Sequence, residues 1–441
     1  MLKWFYEVLW ICLASLLGLV GRLSKKQRAQ LIRSNFSAQF LAQLKSEKGQ
    51  RNLNALFFCS SAGEYEQAKP LAQRLQAMHQ ASIVYVMGSA SGVRFAKAQG
   101  EKNTYVLAPW DRVSQWEKLY EAFQPSFTVI VRYELWPGFL TVAKRFGPVY
   151  LVDAVQSASL SSSFWAQKLW IRLLAYISHI FVVGSEDVAF YKSYLARSGS
   201  DLSLVGDTKY DRVLERIAER AEKREQMREA LSNFCEARRI LLVGSAWPED
   251  LAAILSVYPE MVKKAQNLAM IVAPHDVSDS MALRMQGMLE AQGLSVCRSS
   301  RVGFRAAKST DDVLLFDEIG VLPELYSLAH VAWVGGGMHH RVHNVLEPAC
   351  WGLYLCFGPR YQTSQEARLL VKKGLAHVVT DGSSFQTWFE ELSFSESPPH
   401  QALWNAIKEE SGASDRILQK IFIDLSEISK HAKKVNSVDG L

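Results

Sequence analysis

Residues 334–349 read V-G-G-G-M-H-H-R-V-H-N-V-L-E-P-A, and this segment decides the fold. The preceding H-V-A-W-V run is β-branched and aromatic, which predicts a buried strand. A helix is predicted to begin between Asn344 and Pro348, because proline fits only the first turn of a helix. Glycines 335–337 before a helix N-terminus favour an anion site, where a ligand can approach the backbone. A glycine turn of this kind also joins strands to helices in many α/β proteins, so both interpretations stay open for this segment alone.

Length and composition indicate an ordinary globular protein. The 441 residues predict two domains. The hydrophobic content of 49% and charged content of 21% give no sign of long disordered regions. The net charge of +6 is compatible with anionic lipid or phosphate partners but does not indicate them. The six cysteines lack C-x-x-C spacing, which favours buried free thiols in a reducing compartment.

The N-terminal segment combines an apolar run with a basic cluster. No charged residue occurs from Val8 to Val20, a run that is short for a membrane span of about 20 residues. The basic residues 22, 25, 26 and 28 follow the run and no A-x-A site is present, which argues against a cleaved signal peptide. We predict a membrane anchor that spans the bilayer or lies at its interface, with the body of the protein in the cytoplasm. A buried core helix is the alternative.

The rest of the chain alternates between strand and helix patterns. Apolar runs in the first half predict strands at residues 54–60, 81–87, 126–131, 148–152 and 178–185. A charged stretch between the two halves predicts one helix from about residue 211 to 232. Runs in the second half predict strands at 239–245, 268–275, 312–317, 330–336 and 353–359. This alternation predicts an α/β protein with two doubly wound, Rossmann-like parallel sheets. The predicted regions are an anchor and basic linker (1–30), an N-terminal domain (31–207), a C-terminal domain (208–402), and a C-terminal helix and tail (403–441).

A set of short motifs occurs in a fixed order along the chain. They are S-A-G-E (61–64), Y-E-L-W-P (133–137), V-G-D-T-K-Y-D-R-V (205–213), G-S-A-W-P-E-D (244–250), A-P-H (273–275), G-G-G (335–337), H-N-V-L-E-P-A (343–349) and G-P-R-Y (358–361). Together they resemble the 3-deoxy-D-manno-octulosonic acid (Kdo) transferases of lipopolysaccharide synthesis along nearly the whole chain. The resemblance implies GT-B architecture, with an acceptor-binding and a CMP-Kdo-binding domain facing a cleft.

The same resemblance implies a reaction and a location. It implies inverting transfer of Kdo from CMP-Kdo to a lipid A precursor, lipid IVA, with release of CMP. It implies no cofactor and no metal, no nucleic acid partner, and a site at the cytoplasmic face of the inner membrane. Two alternatives stay open: a GT-B transferase that uses a UDP-sugar, and a non-catalytic paralogue that binds lipid or protein.

Glu64 is the predicted catalytic residue. It follows a predicted strand at the carboxyl edge of a parallel sheet, where such sheets bind ligands. One carboxylate there can deprotonate the acceptor hydroxyl, and the resemblance places the general base at this position. Glu64 is also a helix N-terminal acid, a role that stabilises by about 0.3–1 kcal/mol and remains the structural alternative. The predicted acceptor side also includes Ser61, Gly63 and Glu134.

The leaving group, CMP, is an anion and needs fixed hydrogen-bond donors. The residues predicted to bind the nucleotide donor are Lys209, Ser245, Gly335, Gly336, Gly337, His343, Asn344 and Glu347. Glu347 is suited to accept from ribose hydroxyls, although its place in N-x-x-E also fits helix capping. His343 is expected to face the phosphate or the sugar carboxylate.

Two positions depart from the family pattern, and two other site types are excluded. Arg132 stands where most of the family has an acid, and Val155 in D-A-V-Q-S replaces an arginine. The histidines 339, 340 and 343 lie in a glycine loop without an H-E-x-x-H pattern, so no zinc site is predicted. Ser60 and Ser61 lack the G-x-S-x-G elbow of a hydrolase.

Overall fold

The computed structural model describes residues 35–47, 53–156, 164–195, 200–265, 267–392 and 399–438. The chain forms two compact units, here called unit 1 (Met1–Arg212 with Ser411–Leu441) and unit 2 (Val213–Glu410). The division therefore follows Arg212, whereas the sequence predicted a boundary after residue 207. The predicted N-terminal anchor lies outside the described residues. Among the helices that are described, none has both the length and the hydropathy needed to span a membrane.

Each unit is built on a seven-stranded sheet in which all neighbouring strands are parallel. The sheet of unit 1 has the order β3-β2-β1-β4-β5-β6-β7. Its strands are β1 (Asn54–Cys59), β2 (Ser82–Met87), β3 (Thr104–Leu107), β4 (Phe127–Val131), β5 (Val149–Ala154), β6 (His179–Val182) and β7 (Asp201–Leu204).

The sheet of unit 2 has the order β10-β11-β9-β8-β12-β13-β14. Its strands are β8 (Arg239–Ala246), β9 (Leu268–Pro274), β10 (Val296–Arg298), β11 (Val313–Leu315), β12 (Val331–Val334), β13 (Tyr354–Phe357) and β14 (His377–Val378). All ten strands predicted from the sequence are confirmed. The structure adds β3, β7, β10 and β14, which are the outer strands of the two sheets.

Helices connect the strands and cover the sheets. From α1 to α8 they are α1 (Ala38–Glu47), α2 (Ala62–His79), α3 (Ala90–Ala98), α4 (Val113–Phe123), α5 (Pro137–Phe146), α6 (Phe164–Leu174), α7 (Ser185–Leu195) and α8 (Thr208–Glu219), and the division after Arg212 falls within α8. Those that follow are α9 (Ala221–Ala230), α10 (Ser232–Cys235), α11 (Pro248–Leu255), α12 (Tyr258–Lys264), α13 (Asp279–Glu290), α14 (Ser299–Val302), α15 (Leu322–Tyr326), α16 (Leu346–Cys350), α17 (Gln365–Lys372), α18 (Gly382–Glu391), α19 (His400–Glu410) and α20 (Ala413–Val438). A short 3-10 helix (Phe304–Ala306) follows α14.

The charged segment after residue 207 differs from the sequence interpretation. A single helix was predicted from about residue 211 to 232, but the structure has α8, α9 and α10 in succession. The chain breaks helical geometry at Arg220 and again at Leu231, whose ψ angles of 17° and 10° depart from helical values. The prediction was wrong because charged residues that favour helices cross both breaks and give no stop signal.

Alternating side chains explain why both faces of the unit 1 sheet are covered. Leu56 and Phe58 of β1 pack into one apolar cluster, which includes side chains of α4 and α5. Phe57 and Cys59 pack into a second cluster, which includes side chains of α2 and α20. Helix α20 therefore belongs to the core of unit 1, although unit 2 separates it along the chain from the rest of unit 1. Because helices cover both faces of the sheet, a functional site is expected at the carboxyl ends of the strands.

Candidate active site

Glu64 lies at the carboxyl end of β1, in the first turn of α2. The Ser61 hydroxyl caps α2 by accepting from the Glu64 backbone N–H at 3.3 Å. The Glu64 carboxylate turns back to the strand end, where Oε2 accepts from the Ser60 N–H at 2.5 Å and Oε1 accepts from the Ser60 hydroxyl at 2.6 Å. The carboxylate is therefore held from two directions while its side chain stays partly exposed.

The surroundings of Glu64 tune its acidity. Burial raises the pKa of the Glu64 carboxyl above its ordinary value, and the two hydrogen bonds from Ser60 lower it. The carboxylate of Glu134 raises the same pKa and the guanidinium of Arg132 lowers it. The structure thus brings the two predicted acids of this unit into electrostatic contact at the ends of the neighbouring strands β1 and β4.

The other predicted acceptor-side residues lie around Glu64. Glu134 accepts from the Trp136 indole N–H at 2.6 Å. Gly63 is exposed, and a Cβ added there would meet only the Ser61 hydroxyl at 3.8 Å, so packing does not require glycine. Ser61 is exposed and has the capping role described above. Their contact with an acceptor stays a prediction.

Arg132 joins a buried polar network behind these acids. Its backbone has a φ of +72°, and its guanidinium donates to Asp207 at 2.8 Å and to Gln67 at 3.1 Å. The Gln67 amide donates in turn to Asp153 at 3.1 Å and to Asp207 at 3.0 Å. Burial first, and then the Asp207 carboxylate, raises the pKa of Asp153 to about 7. The charge of Arg132 is therefore compensated by the Asp207 carboxylate within its own unit.

Lys209 belongs to this same region of the chain. It lies in the first turn of α8, where its backbone N–H donates to Asp207 Oδ1 at 2.9 Å. It is part of unit 1, whereas all other residues predicted to bind the nucleotide belong to unit 2. Its role at the donor stays a prediction.

In unit 2 a buried carboxylate holds the glycine loop. Asp250, in the first turn of α11, is 0% exposed. Its Oδ2 accepts from the backbone N–H groups of Gly336 at 2.8 Å and Trp247 at 3.0 Å, and its Oδ1 accepts from that of Met338 at 3.3 Å. Burial raises the pKa of Asp250, and these backbone hydrogen bonds oppose that effect. The loop after β12 is thereby fixed to the start of α11.

The three glycines have a packing role that the sequence did not indicate. A Cβ at Gly335 would lie 2.3 Å from the Ser245 carbonyl, and one at Gly337 would lie 2.6 Å from the Gly358 nitrogen. Gly336 has a φ of +91°, and a Cβ there would lie 2.2 Å from the Arg341 carbonyl. The space that each missing Cβ leaves open is therefore occupied by backbone atoms of the chain itself. Their contact with a ligand stays a prediction, and so does that of Ser245, which has a φ of +51°.

His343 lies within a cluster of stacked rings. We define the ring cluster as Trp247, His275, His339 and His343, which follow β8, β9 and β12. Trp247 stacks on His339 and His275 with ring centroids 4.5 and 5.0 Å apart, and His275 stacks on His343 at 4.2 Å. Among the residues that the structure describes, no group of three or more side chains is arranged to hold a metal. His275, His339 and His343 therefore have a structural role, because their rings stack within this cluster.

Asn344 and Glu347 flank the start of α16. This helix begins at Leu346, within the predicted range, and has only five residues. The Asn344 side chain is exposed and accepts from the Leu346 N–H at 3.0 Å. Glu347 is 7% exposed, and its Oε1 accepts from Arg216 at 2.8 Å. The carboxylate that was predicted to bind ribose is thus also an ion-pair partner inside unit 2.

Sequence reasoning missed several residues that organise these two strand edges. Asp250 had a detectable signal, because proline and an acid in W-P-E-D mark a helix first turn after a strand. The ring partners Trp247 and His275 lay inside quoted motifs but are far apart in sequence, so their contact with His343 gave no local signal. The same holds for Gln67, Asp153 and Asp207.

The fold resembles that of solved nucleotide-sugar enzymes. A UDP-GlcNAc 2-epimerase from Neisseria meningitidis superposes with a TM-score of 0.59 and 15% identity, covering 84% of this chain and 100% of the epimerase. At this identity the similarity establishes the fold alone, that of two parallel α/β sheets. It agrees with the GT-B-like architecture expected from the sequence.

Sequence comparisons identify closer relatives. Residues 21–212 match the sequence model described as 3-Deoxy-D-manno-octulosonic-acid transferase (kdotransferase). The 3-deoxy-D-manno-octulosonic acid transferase of Aquifex aeolicus is 23% identical over 338 residues, which cover 76% of this chain and 84% of that protein. The transferase of the same name from Haemophilus influenzae is 23% identical over 432 residues, 95% of this chain and 97% of that protein. The chain is thus similar to 3-deoxy-D-manno-octulosonic acid transferases, in residues 21–212 by the family model and over most of its length by the individual relatives.

Proposed function

We propose that this protein is an inverting glycosyltransferase that moves Kdo from CMP-Kdo to a lipid A precursor, lipid IVA, in lipopolysaccharide core synthesis. The observation that carries the proposal is the Glu64 carboxylate, held by Ser60 at the end of β1 and still partly exposed. It lies in a chain that resembles Kdo transferases along almost its full length. A carboxylate placed in this way can accept a proton from an acceptor hydroxyl.

The proposed reaction is a single displacement. Glu64 takes the proton of an acceptor hydroxyl as the oxygen attacks the anomeric carbon of Kdo. The bond between that carbon and the phosphate oxygen breaks, and CMP leaves with the electron pair. Inversion follows because the attacking oxygen and the leaving phosphate lie on opposite faces of the sugar. The proton on Glu64 then passes to solvent.

We propose that the donor binds through the predicted nucleotide set. Ser245 lies near the carboxyl end of β8, and the glycine loop, His343 and Asn344 follow β12 in the unit 2 sheet. The ends of parallel strands are the usual ligand edge of such sheets, which supports this placement. Glu347 would accept from ribose hydroxyls, and Lys209 would offset phosphate charge.

We also propose that the N-terminal segment attaches the protein to the cytoplasmic face of the inner membrane. The support is the sequence alone, an apolar run followed by basic residues. Cell fractionation of the full-length protein tests the proposal, with recovery in the membrane fraction as the expected result. Recovery of all the protein in the soluble fraction would refute it.

Incubation of purified full-length protein with CMP-Kdo and lipid IVA tests the proposed function. Mass spectrometry should detect lipid IVA with added Kdo, and released CMP should match the Kdo transferred. Parallel reactions with UDP-sugars test the alternative donor class, and Glu64→Gln serves as the matched protein control. Transfer from a UDP-sugar but not from CMP-Kdo would replace the proposal with that alternative. Binding of CMP and lipid without any transfer would favour the non-catalytic paralogue.

A further inference from the structure

The ring cluster contains a hydrogen bond that determines where His343 carries its proton. The indole N–H of Trp247 donates to Nε2 of His343 at 3.0 Å. An indole nitrogen can donate but cannot accept, so Nε2 must present its lone pair. His343 is therefore neutral, and its one ring proton is on Nδ1.

The surroundings of His343 favour this neutral form. The ring is half-buried and stacks on His275 at a centroid distance of 4.2 Å with an interplanar angle of 18°. Burial, with smaller contributions from His275 and Arg341, lowers the pKa of His343 to about 4. The other charged or titratable groups of the cluster and its neighbours are Asp250 beneath the loop, Asp276 beside His275, and the pair His339 and Glu249 at 3.4 Å.

The opposite edge of the His343 ring remains available. The Cδ2–Nε2 edge lies over Gly336, where an added Cβ would be 2.8 and 3.0 Å from these two atoms. Within the described parts of the chain, Nδ1 has no protein hydrogen-bond partner. Its N–H is thus a fixed donor that an anionic ligand oxygen can use.

We infer that Trp247 is a positioning residue, which holds His343 in the Nδ1–H form so that it donates an uncharged hydrogen bond to an anionic oxygen of the donor nucleotide. This inference rests on the proposed function for the identity of the nucleotide, CMP-Kdo. Its physical consequence is that His343 contributes equally to donor binding across the neutral pH range. A histidine with an ordinary pKa of about 6.5 would instead change charge there.

The protonation of His343 can be measured without any ligand. Full-length protein labelled with ¹⁵N at histidine would be studied by NMR from pH 5.5 to pH 8, with the ring signals assigned by their loss in His343→Asn. We expect a protonated Nδ1, an unprotonated Nε2, and no titration across this range. A proton on Nε2, or a titration near the ordinary histidine pKa, would overturn the inference.

The variant Trp247→Phe tests the link to the ligand. Phenylalanine keeps an aromatic ring for stacking but lacks the N–H, so the single ring proton of His343 is no longer held on Nδ1 and can move to Nε2. CMP affinity would be measured by calorimetry and expressed as the ratio of variant to wild type at each pH, because the CMP phosphate itself titrates near pH 6. The affinity of the variant should be about five- to tenfold below that of wild type at both pH 8 and pH 5.5, because an ordered hydrogen bond is lost and burial keeps His343 neutral at both values. In the ¹⁵N spectrum of the variant, the His343 proton should be shared between Nδ1 and Nε2.

Trp388→Phe is the matched control. Trp388 also stacks on a histidine in unit 2, His377, with ring centroids 5.3 Å apart. Its substitution should leave the CMP ratio unchanged at both pH values. A His343 proton that stays on Nδ1 in Trp247→Phe, or an equal loss of CMP affinity in Trp388→Phe, would overturn the positioning role. Failure of the wild type to bind CMP at any pH would instead refute the proposed function, whereas the NMR result on His343 stands independently.

Discussion

The carboxyl edges of the two sheets carry different kinds of chemistry. In unit 1 the edge presents ionisable side chains, with Glu64 and Glu134 in electrostatic contact and Arg132 close behind them. In unit 2 the buried carboxylate of Asp250 accepts from backbone N–H groups, and stacked aromatic rings lie beside the loop that it fixes. Acid–base chemistry therefore suits the first edge, and recognition by fixed neutral donors suits the second. Substitutions of residues at one edge only test this difference between the edges.

The largest effect is expected from Asp250→Ala. The change leaves the N–H groups of Trp247, Gly336 and Met338 without their carboxylate partner. Each buried unsatisfied group costs about 1–3 kcal/mol, so the free energy of unfolding of unit 2 should fall by about 3 kcal/mol or more. Urea unfolding of the full-length protein measures this loss, and CMP binding should be lost with it.

Asp381→Ala is the control for that experiment. Asp381 also accepts a backbone N–H at a helix start in unit 2, from Ser384 at 2.8 Å, but it is exposed. Its removal should cost much less stability than the removal of Asp250, because water can replace an exposed N-cap partner. If the two variants lost the same stability, Asp250 would be an ordinary cap and not the support of the glycine loop.

The second effect is on catalysis in unit 1. Glu64→Gln keeps the size of the side chain but removes the base, so transfer should fall about 10²- to 10⁴-fold. CMP affinity should stay unchanged, because the predicted ribose and loop contacts belong to unit 2. The steady-state assay and calorimetry with CMP measure the two quantities. Glu134→Gln is the matched variant, and a larger loss there than in Glu64→Gln would make Glu134 the base.

The strands show how much of the fold the sequence contained. The ten predicted strands include every inner strand of both sheets, because burial on two faces leaves long apolar runs. The strands it missed are the outer ones, such as Asp201–Leu204 and His377–Val378, which are only four and two residues long. An outer strand has a neighbouring strand on one side only. Some of its residues are therefore exposed, and the long apolar run that marks an inner strand is absent. The local pattern of apolar residues therefore identifies the inner strands of a sheet better than its outer strands.

The candidate site was predictable to the extent that its residues are local. Glu64 follows its strand within a single turn, and the sequence identified it correctly as a carboxylate at a strand end. The partners of Arg132, namely Gln67 and Asp207, lie 65 and 75 residues away along the chain. Likewise, the bond from Trp247 to His343 spans 96 residues. Only the fold brings such pairs together, so one sequence cannot indicate them.

A third effect is expected at the donor edge, from Glu347→Gln. Glutamine keeps an oxygen acceptor but loses the charge that pairs with Arg216. We expect CMP affinity to fall about tenfold, equivalent to about 1.4 kcal/mol, while unit 2 remains folded. Glu324→Gln is the matched control, because Glu324 is also buried and pairs with Arg220 at 2.9 Å. Equal losses of CMP affinity in both variants would point to a general effect of breaking an ion pair.

The smallest effect is expected from Ser60→Ala, through the acidity of Glu64. The Ser60 hydroxyl bonds the carboxylate and lowers its pKa, so its loss should raise that pKa further above the ordinary value. Glu64 must be ionised to act as the base, and a higher pKa means that the proton stays on until a higher pH. The acid limb of the pH–rate profile should therefore move to higher pH, while rates at pH 8 stay within about twofold of wild type.

Ser61→Ala removes the neighbouring hydroxyl, which caps α2 through the Glu64 backbone N–H and not through the carboxylate. That variant should lose about 1 kcal/mol of stability and keep the wild-type limb. If the limb stayed in place in Ser60→Ala, the titration that limits the rate would belong to a group other than Glu64.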